Sequence, residues 1–214
     1  MEYMQEEKMA RADLEKYNKR LKKYLDESRF NHTQGVRYTA TAMAMAHGVD
    51  LYKAELAGLL HDSAKNIPDE KKIKLCKKHN IPMTEIELQS PYLLHSKLGA
   101  YIAEAKYDVH DEDVLEAIRN HTTGKPNMNP LDQIIFIADY IEPRRDKAPN
   151  LPEVRRMAFL DLDECCYIIL RDTLNFLKSN KAKIDSMTEE AYNFYNGIHC
   201  RKYQTVDHEN VSQD

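Results

Sequence analysis

LYKAELAGLLHD, residues 51–62, is an apolar segment that ends in two polar residues. Its leucines and alanines recur at intervals of three and four residues, a spacing typical of the buried face of a helix. Gly48 is suited to end the preceding helix, and Asp50 to begin this one. His61 and Asp62 therefore come where the chain should still lie near the core. A buried imidazole and carboxylate cost free energy unless they meet hydrogen bonds or a metal ion, so the pair is a candidate metal site.

Helical spacing continues through most of the chain and predicts an all-α fold. The sequence contains only 6 glycines and 8 prolines, and no stretch alternates apolar and polar residues as a strand does. We expect a single bundle whose helices cover approximately residues 6–25, 29–47, 51–62, 68–79, 90–107, 111–121, 134–142, 152–177 and 188–196. In this division, residues 1–25 form an N-terminal helical extension, residues 26–197 the main domain, and residues 198–214 a polar, disordered tail.

The composition argues against several classes of protein. With 42% of its 214 residues hydrophobic, the chain can bury one substantial core. Its formal net charge of -4 gives no strong attraction to nucleic acid or to an anionic membrane. The lysines of residues 71–78 form a basic face without interleaved aromatic residues, which is typical of a solvated helix rather than of a nucleic-acid interface.

The sequence also predicts a cytoplasmic location. Its first twenty residues are densely charged and do not resemble a secretory signal. No apolar run approaches the roughly 18 residues that a transmembrane helix needs. The four cysteines, at positions 76, 165, 166 and 200, include no CxxC pair, which fits a reducing compartment better than a disulfide framework or a zinc ribbon.

Further candidate ligands occur elsewhere in the chain. Asp139 follows the apolar run of residues 134–138, so its carboxylate also comes where the chain should be buried. His32, His95 and His121 belong to three separate predicted helices, each of which can bring a nitrogen ligand toward one point. Alone, each of these residues more often has a structural role. The remaining histidines, at positions 47, 79, 110, 199 and 208, lie in less suggestive surroundings, and we expect them to be structural.

The order of these residues resembles that of the HD-domain metal-dependent phosphohydrolases. The order in question is His32, His61-Asp62, His95, His121 and Asp139. The surrounding words RFNHTQGV, AGLLHDSAK, HSKLGAYIA, IRNHTTGKPNM and ADYIEPRR are similar to those of the YqeK-type members, the symmetrical dinucleoside-tetraphosphate hydrolases. The similarity extends from about Leu14 to Tyr195. Several ligands in one order are far more specific than a single His-Asp dipeptide.

The resemblance implies hydrolysis of diadenosine tetraphosphate to two ADP at a divalent metal ion, with iron expected and manganese, cobalt, nickel or zinc as alternatives. The implied metal ligands are His32, His61, Asp62 and Asp139. The implied catalytic residues are Asp62, Lys65, His95 and His121, of which the two histidines face the phosphates or hold a second metal. The implied substrate contacts are His32, Lys65, His95, His121, Thr122, Asp139, Arg145, Tyr192 and Asn193.

Two alternatives remain open at the level of sequence. One is another HD-domain reaction at the same metal site, acting on nucleoside monophosphates or cyclic nucleotides. The other is a non-catalytic, nucleotide-binding regulatory module in which the polar residues are structural. In each case the expected partner is a small nucleotide rather than nucleic acid or a membrane, and a homodimer is allowed.

Overall fold

The computed structural model describes residues 2–148 and 150–210, with side chains described for residues 11–148 and 150–204. Within these ranges the chain forms eleven α-helices, one 3-10 helix and no strand, which confirms the all-α prediction. The α-helices are α1 (Glu2–Leu21), α2 (Glu27–His47), α3 (Leu51–Leu60), α4 (Asp69–Lys78), α5 (Glu85–Gln89), α6 (His95–Tyr107), α7 (Glu112–Asn120), α8 (Pro130–Ile141), α9 (Leu151–Met157), α10 (Leu162–Ser179) and α11 (Ser186–Asn210). The 3-10 helix, Pro91–Leu94, leads directly into α6. Among the helices so described, none has both the length and the apolar character needed to cross a membrane.

Helix α3 lies at the centre of the bundle, against α2, α7 and α8. Leu59 and Leu60, at its C-terminal end, are fully buried. The close approach of α2 depends on Gly58, because a Cβ atom at this position would lie 3.0 Å from the Cα atom of Arg37. The packing on three sides fixes the position of the residues that follow α3.

The end of α2 and the start of α3 form as the sequence predicts. Gly48 adopts the left-handed conformation with φ 66° and ends α2. The side chain of Asp50 then accepts a hydrogen bond from the Lys53 backbone N–H at 2.9 Å and caps α3. At the other end of α2, Asp26 accepts from the Arg29 N–H at 2.8 Å. These caps fix where the two helices begin and where α2 ends, and so fix the positions of the candidate metal ligands on or next to them.

The prediction of one long helix over residues 152–177 is wrong. The structure has two helices there, α9 and α10, separated at residues 158–161. The side chain of Asp161 accepts a hydrogen bond from the Glu164 N–H at 3.1 Å, so it acts as the N-cap of a new helix. The predicted helix over residues 90–107 likewise begins as a separate 3-10 turn, and the short helix α5 was not predicted.

The prediction that the last helix ends near residue 196 is also wrong, because α11 continues to Asn210. Residues 198–210 are therefore helical where we expected a disordered tail. The reason is contact with α10: the His199 Nδ1 atom lies 2.9 Å from a Glu164 carboxylate oxygen, and the His199 ring stacks on Tyr167 at 4.0 Å. Residues 211–214 lie outside the described residues, and the division into domains stays a prediction.

Candidate metal centre

The predicted ligands meet because helix ends converge. His61 and Asp62 directly follow α3, His95 is the first residue of α6, and His121 directly follows α7. His32 projects from α2 and Asp139 from the last turn of α8. Of these six residues, only Asp139 is partly exposed. The structure thus brings together all the metal ligands predicted from the sequence.

The orientation of three histidine rings is set by the backbone. The Nδ1 atoms of His61, His95 and His121 lie 2.7, 2.6 and 2.7 Å from carbonyl oxygens three residues earlier in the chain. A carbonyl can only accept, so each Nδ1 carries the proton and donates it. Each Nε2 atom then keeps its lone pair for a ligand. This is the arrangement in which histidines bind metal ions.

The ring of His32 is oriented by a side chain instead. Its Nδ1 atom lies 3.0 Å from Glu142 Oε1, and the Glu142 side chain is buried. The other Glu142 oxygen accepts the Arg144 backbone N–H at 2.8 Å. Glu142 was not predicted as a site residue, although it fixes which nitrogen of His32 faces the other ligands.

Asp62 lies between two groups of ligand atoms. Its Oδ2 atom is 3.5 Å from His61 Nε2 and 3.8 Å from His32 Nε2. Its Oδ1 atom is 3.3 Å from His95 Nε2 and 3.7 Å from His121 Nε2. The carboxylate is therefore shared by two clusters, each of which could hold a metal ion.

Several of these atoms face one another as acceptors. His32 Nε2 lies 2.9 Å from Asp139 Oδ1, and His95 Nε2 lies 3.1 Å from His121 Nε2. With the Nδ1 atoms protonated, these contacts join lone pair to lone pair and are unfavourable unless a cation or proton lies between them. The buried atoms His32 Nε2, His61 Nε2 and Asp62 Oδ1 have no hydrogen-bond partner. A mixed imidazole and carboxylate set with unused lone pairs fits a divalent transition metal.

The protonation states also suit metal binding. Burial opposes ionisation of Asp62, but its interactions with the surrounding imidazoles of His61, His121 and His95 hold its pKa well below the usual range. Burial lowers the pKa of His95 to about 4, so its ring is neutral near pH 7. A metal ligand must be an ionised carboxylate or a neutral imidazole, and the site supplies both.

Three cationic side chains surround the cluster. Arg29 donates to Asp62 Oδ2 at 2.8 Å, and Arg145 donates to Asp139 Oδ1 at 2.7 Å. The Lys65 ammonium lies 3.1 Å from His95 Nε2, and burial lowers the pKa of Lys65. Lys65 and Arg145 were predicted and Arg29 was not.

A cavity of about 490 Å³ opens beside the cluster. One part of its wall is cationic and polar, with Arg29, Arg144, Arg145, Lys147 and Thr122. Another part is largely apolar, with Phe136, Tyr140, Ile169 and Leu170. The Thr122 hydroxyl oxygen is 3.2 Å from both His95 Nε2 and His121 Nε2, as expected for a residue beside the cluster. The volume lies within the range of small-ligand sites.

Four of the nine predicted substrate contacts do not line this cavity: Lys65, His95, Tyr192 and Asn193. Lys65 and His95 lie in the cluster beside it. Asn193 is exposed, and the Tyr192 ring packs parallel to Tyr167 with centroids 6.1 Å apart. The same helix instead contributes Thr188, one turn earlier. Tyr195 secures the helix, because its hydroxyl accepts the Met128 backbone N–H at 3.0 Å. The segment that carries Thr122 is thereby joined to α11.

The other histidines stand apart from the cluster. Their contacts are with the Ala158 carbonyl for His47, Tyr101 for His79, Asp108 for His110 and Glu164 for His199. The side chain of His208 lies outside the described residues. These contacts agree with the expected structural roles of the four histidines that can be described.

Comparison with known proteins gives a consistent result. A family model described as HD domain matches residues 29–144. A protein of Halalkalibacterium halodurans named bis(5'-nucleosyl)-tetraphosphatase, symmetrical, is 40% identical over 173 residues, which cover 81% of this chain and 91% of that protein. A Bacillus subtilis protein of the same name is 37% identical over 174 residues, covering 81% and 92%. A crystal structure from Clostridium acetobutylicum, described as a "predicted HD superfamily hydrolase involved in NAD metabolism", superposes with a TM-score of 0.83 at 37% identity and covers 86% of this chain and 96% of that one.

Proposed function

This chain belongs to the HD-domain family of symmetrical bis(5'-nucleosyl)-tetraphosphatases, and we propose that it hydrolyses diadenosine tetraphosphate and related dinucleoside tetraphosphates to two nucleoside diphosphates. The observation that carries the proposal is the set of facing lone pairs around Asp62, beside a cavity with a cationic wall and an apolar wall. The cationic wall suits a phosphate chain and the apolar wall suits a nucleoside. The names of the similar proteins support the same substrate class.

The metal in this proposal is held by His32, His61, Asp62 and Asp139, with iron as the first choice and manganese, cobalt, nickel or zinc as alternatives. When bound, such an ion lowers the pKa of water and polarises a phosphoryl oxygen. His95, His121 and Asp62 form the second cluster and either hold a second ion or face the phosphates. The neutral state of His95 near pH 7 is compatible with both roles.

The remaining side chains act on water and phosphate. Symmetrical hydrolysis joins the hydroxyl of water to one of the central phosphorus atoms, and the proton of water goes to a base while a nucleoside diphosphate leaves. In this proposal Asp62 orients the water and accepts its proton. Lys65, Arg145 and Arg29 neutralise the charge that develops on the phosphoryl oxygens. Thr122 and Thr188 contribute hydroxyl groups to the cavity wall.

The products identify the reaction. Metal-replete protein is incubated with diadenosine tetraphosphate and, separately, with AMP, and the products are separated by chromatography. Two ADP per substrate support the proposal. AMP plus ATP from diadenosine tetraphosphate would reject symmetrical cleavage, and phosphate released from AMP alone would favour a nucleotidase. Retained nucleotide binding without turnover would favour the regulatory module. Metal analysis of the same sample identifies the ion, while the cytoplasmic location and the homodimer stay predictions.

A further inference from the structure

A second cavity, of about 200 Å³, is lined by a different set of residues from the substrate cavity. Helix α1 contributes Arg20, the turn after it contributes Tyr24, α4 contributes Lys71, and α6 contributes Lys106. The segment that follows α3 contributes Ser63 and Asn66. No residue lines both this cavity and the substrate cavity. The sequence gives α1 no role in the site, whereas in the structure α1 completes a concave, cationic surface.

Three cations converge on this cavity without a carboxylate partner. Among the described side chains, no ion pair forms to Arg20, Lys71 or Lys106. Some cations elsewhere in the chain are paired, such as Lys53 with Asp111 at 2.8 Å and the partly exposed Lys125 with the buried Asp132 at 3.0 Å. Unpaired like charges on three different helices repel one another unless an anion lies between them.

The surroundings add both attraction and rigidity. Lys16, Lys19 and Lys23 line an adjoining groove along α1 that also includes Arg20. The Arg20 guanidinium lies 4.9 Å from the centroid of the Tyr107 ring and donates to the Lys106 carbonyl, which joins α1 to α6. The cavity is thus held open by contacts between helices, and a row of lysines raises the local potential for anions.

We propose that this cavity binds the diphosphate group of a small phosphate-bearing anion. Its volume is below the range of about 300–1,000 Å³ of sites for whole drug-sized ligands, and it suits a compact anion with several acceptor oxygens. Arg20, Lys71 and Lys106 supply charged donors, and Ser63 and Asn66 supply neutral ones. Free pyrophosphate and a nucleoside diphosphate share this group. The Tyr24 ring, 64% exposed at the rim, can stack on the base of a nucleotide.

Binding at this cavity has a direct route to the metal centre. Ser63 and Asn66 belong to the same turn as Lys65, the lysine beside His95. The Asn66 side chain also donates to Asp26, which caps α2 ahead of His32. An anion held by Ser63 and Asn66 therefore restrains the segment that presents Lys65. This site does not depend on the proposed substrate, since the cations and the cavity define it.

The test measures pyrophosphate binding to the metal-replete, full-length protein by isothermal titration calorimetry. Pyrophosphate will also bind at the metal centre, so the titration is repeated in a Lys65→Ala, Arg145→Ala background that weakens that event. We expect the double variant Lys71→Glu, Lys106→Glu to weaken the remaining event by at least about 10-fold. The control is Lys74→Glu, Lys77→Glu, which makes the same charge change at exposed positions of α4 that do not line the cavity. The control should alter binding by less than about twofold.

Two results would overturn the site. Equal weakening of pyrophosphate binding in both double variants would show that general surface charge, rather than this cavity, attracts the anion. Loss of all pyrophosphate binding in the Lys65→Ala, Arg145→Ala background would leave the metal centre as the sole site. A parallel titration with ADP identifies the source of the diphosphate. Tighter binding of ADP that is lost in Tyr24→Ala supports a nucleotide, and equal affinities for ADP and pyrophosphate support the free anion.

Discussion

The two oxygen atoms of the Asp62 carboxylate face two different groups of residues. The Oδ2 atom faces His61 and His32, with Asp139 beside them, and we call these residues the Oδ2 side. The Oδ1 atom faces His95 and His121 and lies 3.9 Å from the Lys65 ammonium, and we call these residues the Oδ1 side. The Oδ2 side has two carboxylates for two imidazoles. The Oδ1 side has only the shared carboxylate, so it attracts a cation less strongly. Cationic side chains lie beside both sides, with Lys65 near Oδ1 and with Arg29 and Arg145 on the carboxylates of the Oδ2 side. We therefore expect the Oδ2 side to bind metal more tightly and the Oδ1 side to act mainly on the phosphates.

Removing the shared carboxylate should have the largest effect. Asp62→Ala deletes a ligand from both sides, so we expect loss of bound metal and a fall in kcat/KM of more than about 1,000-fold, since even outer partners of metal ligands are worth about 10- to 100-fold. Metal analysis and the rate of ADP release are measured on the same preparation. Turnover that persists in metal-free Asp62→Ala protein would contradict a metal-dependent reaction.

Paired histidine variants separate the two sides. His61→Ala should lower the metal content, whereas His121→Ala should keep the ion on the Oδ2 side and lower kcat by roughly 100- to 1,000-fold. The measurements are the metal content per chain and kcat. If His121→Ala loses as much metal as His61→Ala, the two sides bind metal as one unit and the distinction is wrong.

Lys65 tests whether the Oδ1 side interacts with phosphate. Lys65→Ala should keep the metal and lower kcat by about 100-fold, because one charged donor to the developing negative charge is removed. Lys65→Arg should restore part of the rate. A loss of metal in Lys65→Ala comparable to that in Asp62→Ala would show that the lysine supports the ligands rather than the substrate.

The support of His32 predicts a smaller effect on the Oδ2 side alone. Glu142→Gln should weaken metal affinity by about 10- to 100-fold, because the partner of the His32 Nδ1 atom loses its charge. Gly35→Ala should act in the same direction, since its Cβ would collide with the Glu142 carboxylate. Affinities come from competition with a chelator. Glu153→Gln, at an exposed position, is the control. An equal loss of metal affinity in this variant would show that the effect of Glu142→Gln is not specific to the support of His32.

The smallest effect concerns the cavity wall. Thr188→Ala should raise KM by about fivefold through loss of one hydroxyl contact, whereas Asn193→Ala should leave KM unchanged. Both variants are measured with diadenosine tetraphosphate at constant metal loading. The reverse pattern would restore Asn193 as a substrate contact and would mean that α11 rotates when substrate binds.

Three of the four proposed metal ligands stand out in the sequence because they differ in polarity from the residues around them, whereas His32 was proposed from the family resemblance. His61, Asp62 and Asp139 are polar residues at the ends of apolar segments, and burial of such residues needs a partner. Arg29 and Glu142 give no such signal, since a charged residue near the start or end of an amphipathic helix is usually solvated. Only the packing of α2 against α8 shows that Glu142 is buried and that it meets His32.

The helix boundaries illustrate the same limit. Helical spacing could predict nearly all the α-helices, but it continues across residues 158–161 and so does not reveal the break between α9 and α10. Asp161, three residues before Glu164, is the available signal for a new N-cap. The length of α11 depends on tertiary contacts, because the residues after Gly197 are mostly polar. The contacts of His199 with Tyr167 and Glu164 and the ion pair of Lys202 with Asp161 support a helix there.

The hydrogen bond from the Met128 amide to Tyr195 makes the opening of the cavity observable at a single atom. Exchange of that amide hydrogen with deuterated solvent requires the bond to break, and so requires α11 to separate from the segment after α7. Because α11 also supplies Thr188 to the cavity wall, a nucleotide that enters and closes the site should slow this exchange. The Met128 amide would then report the lifetime of the closed state during turnover.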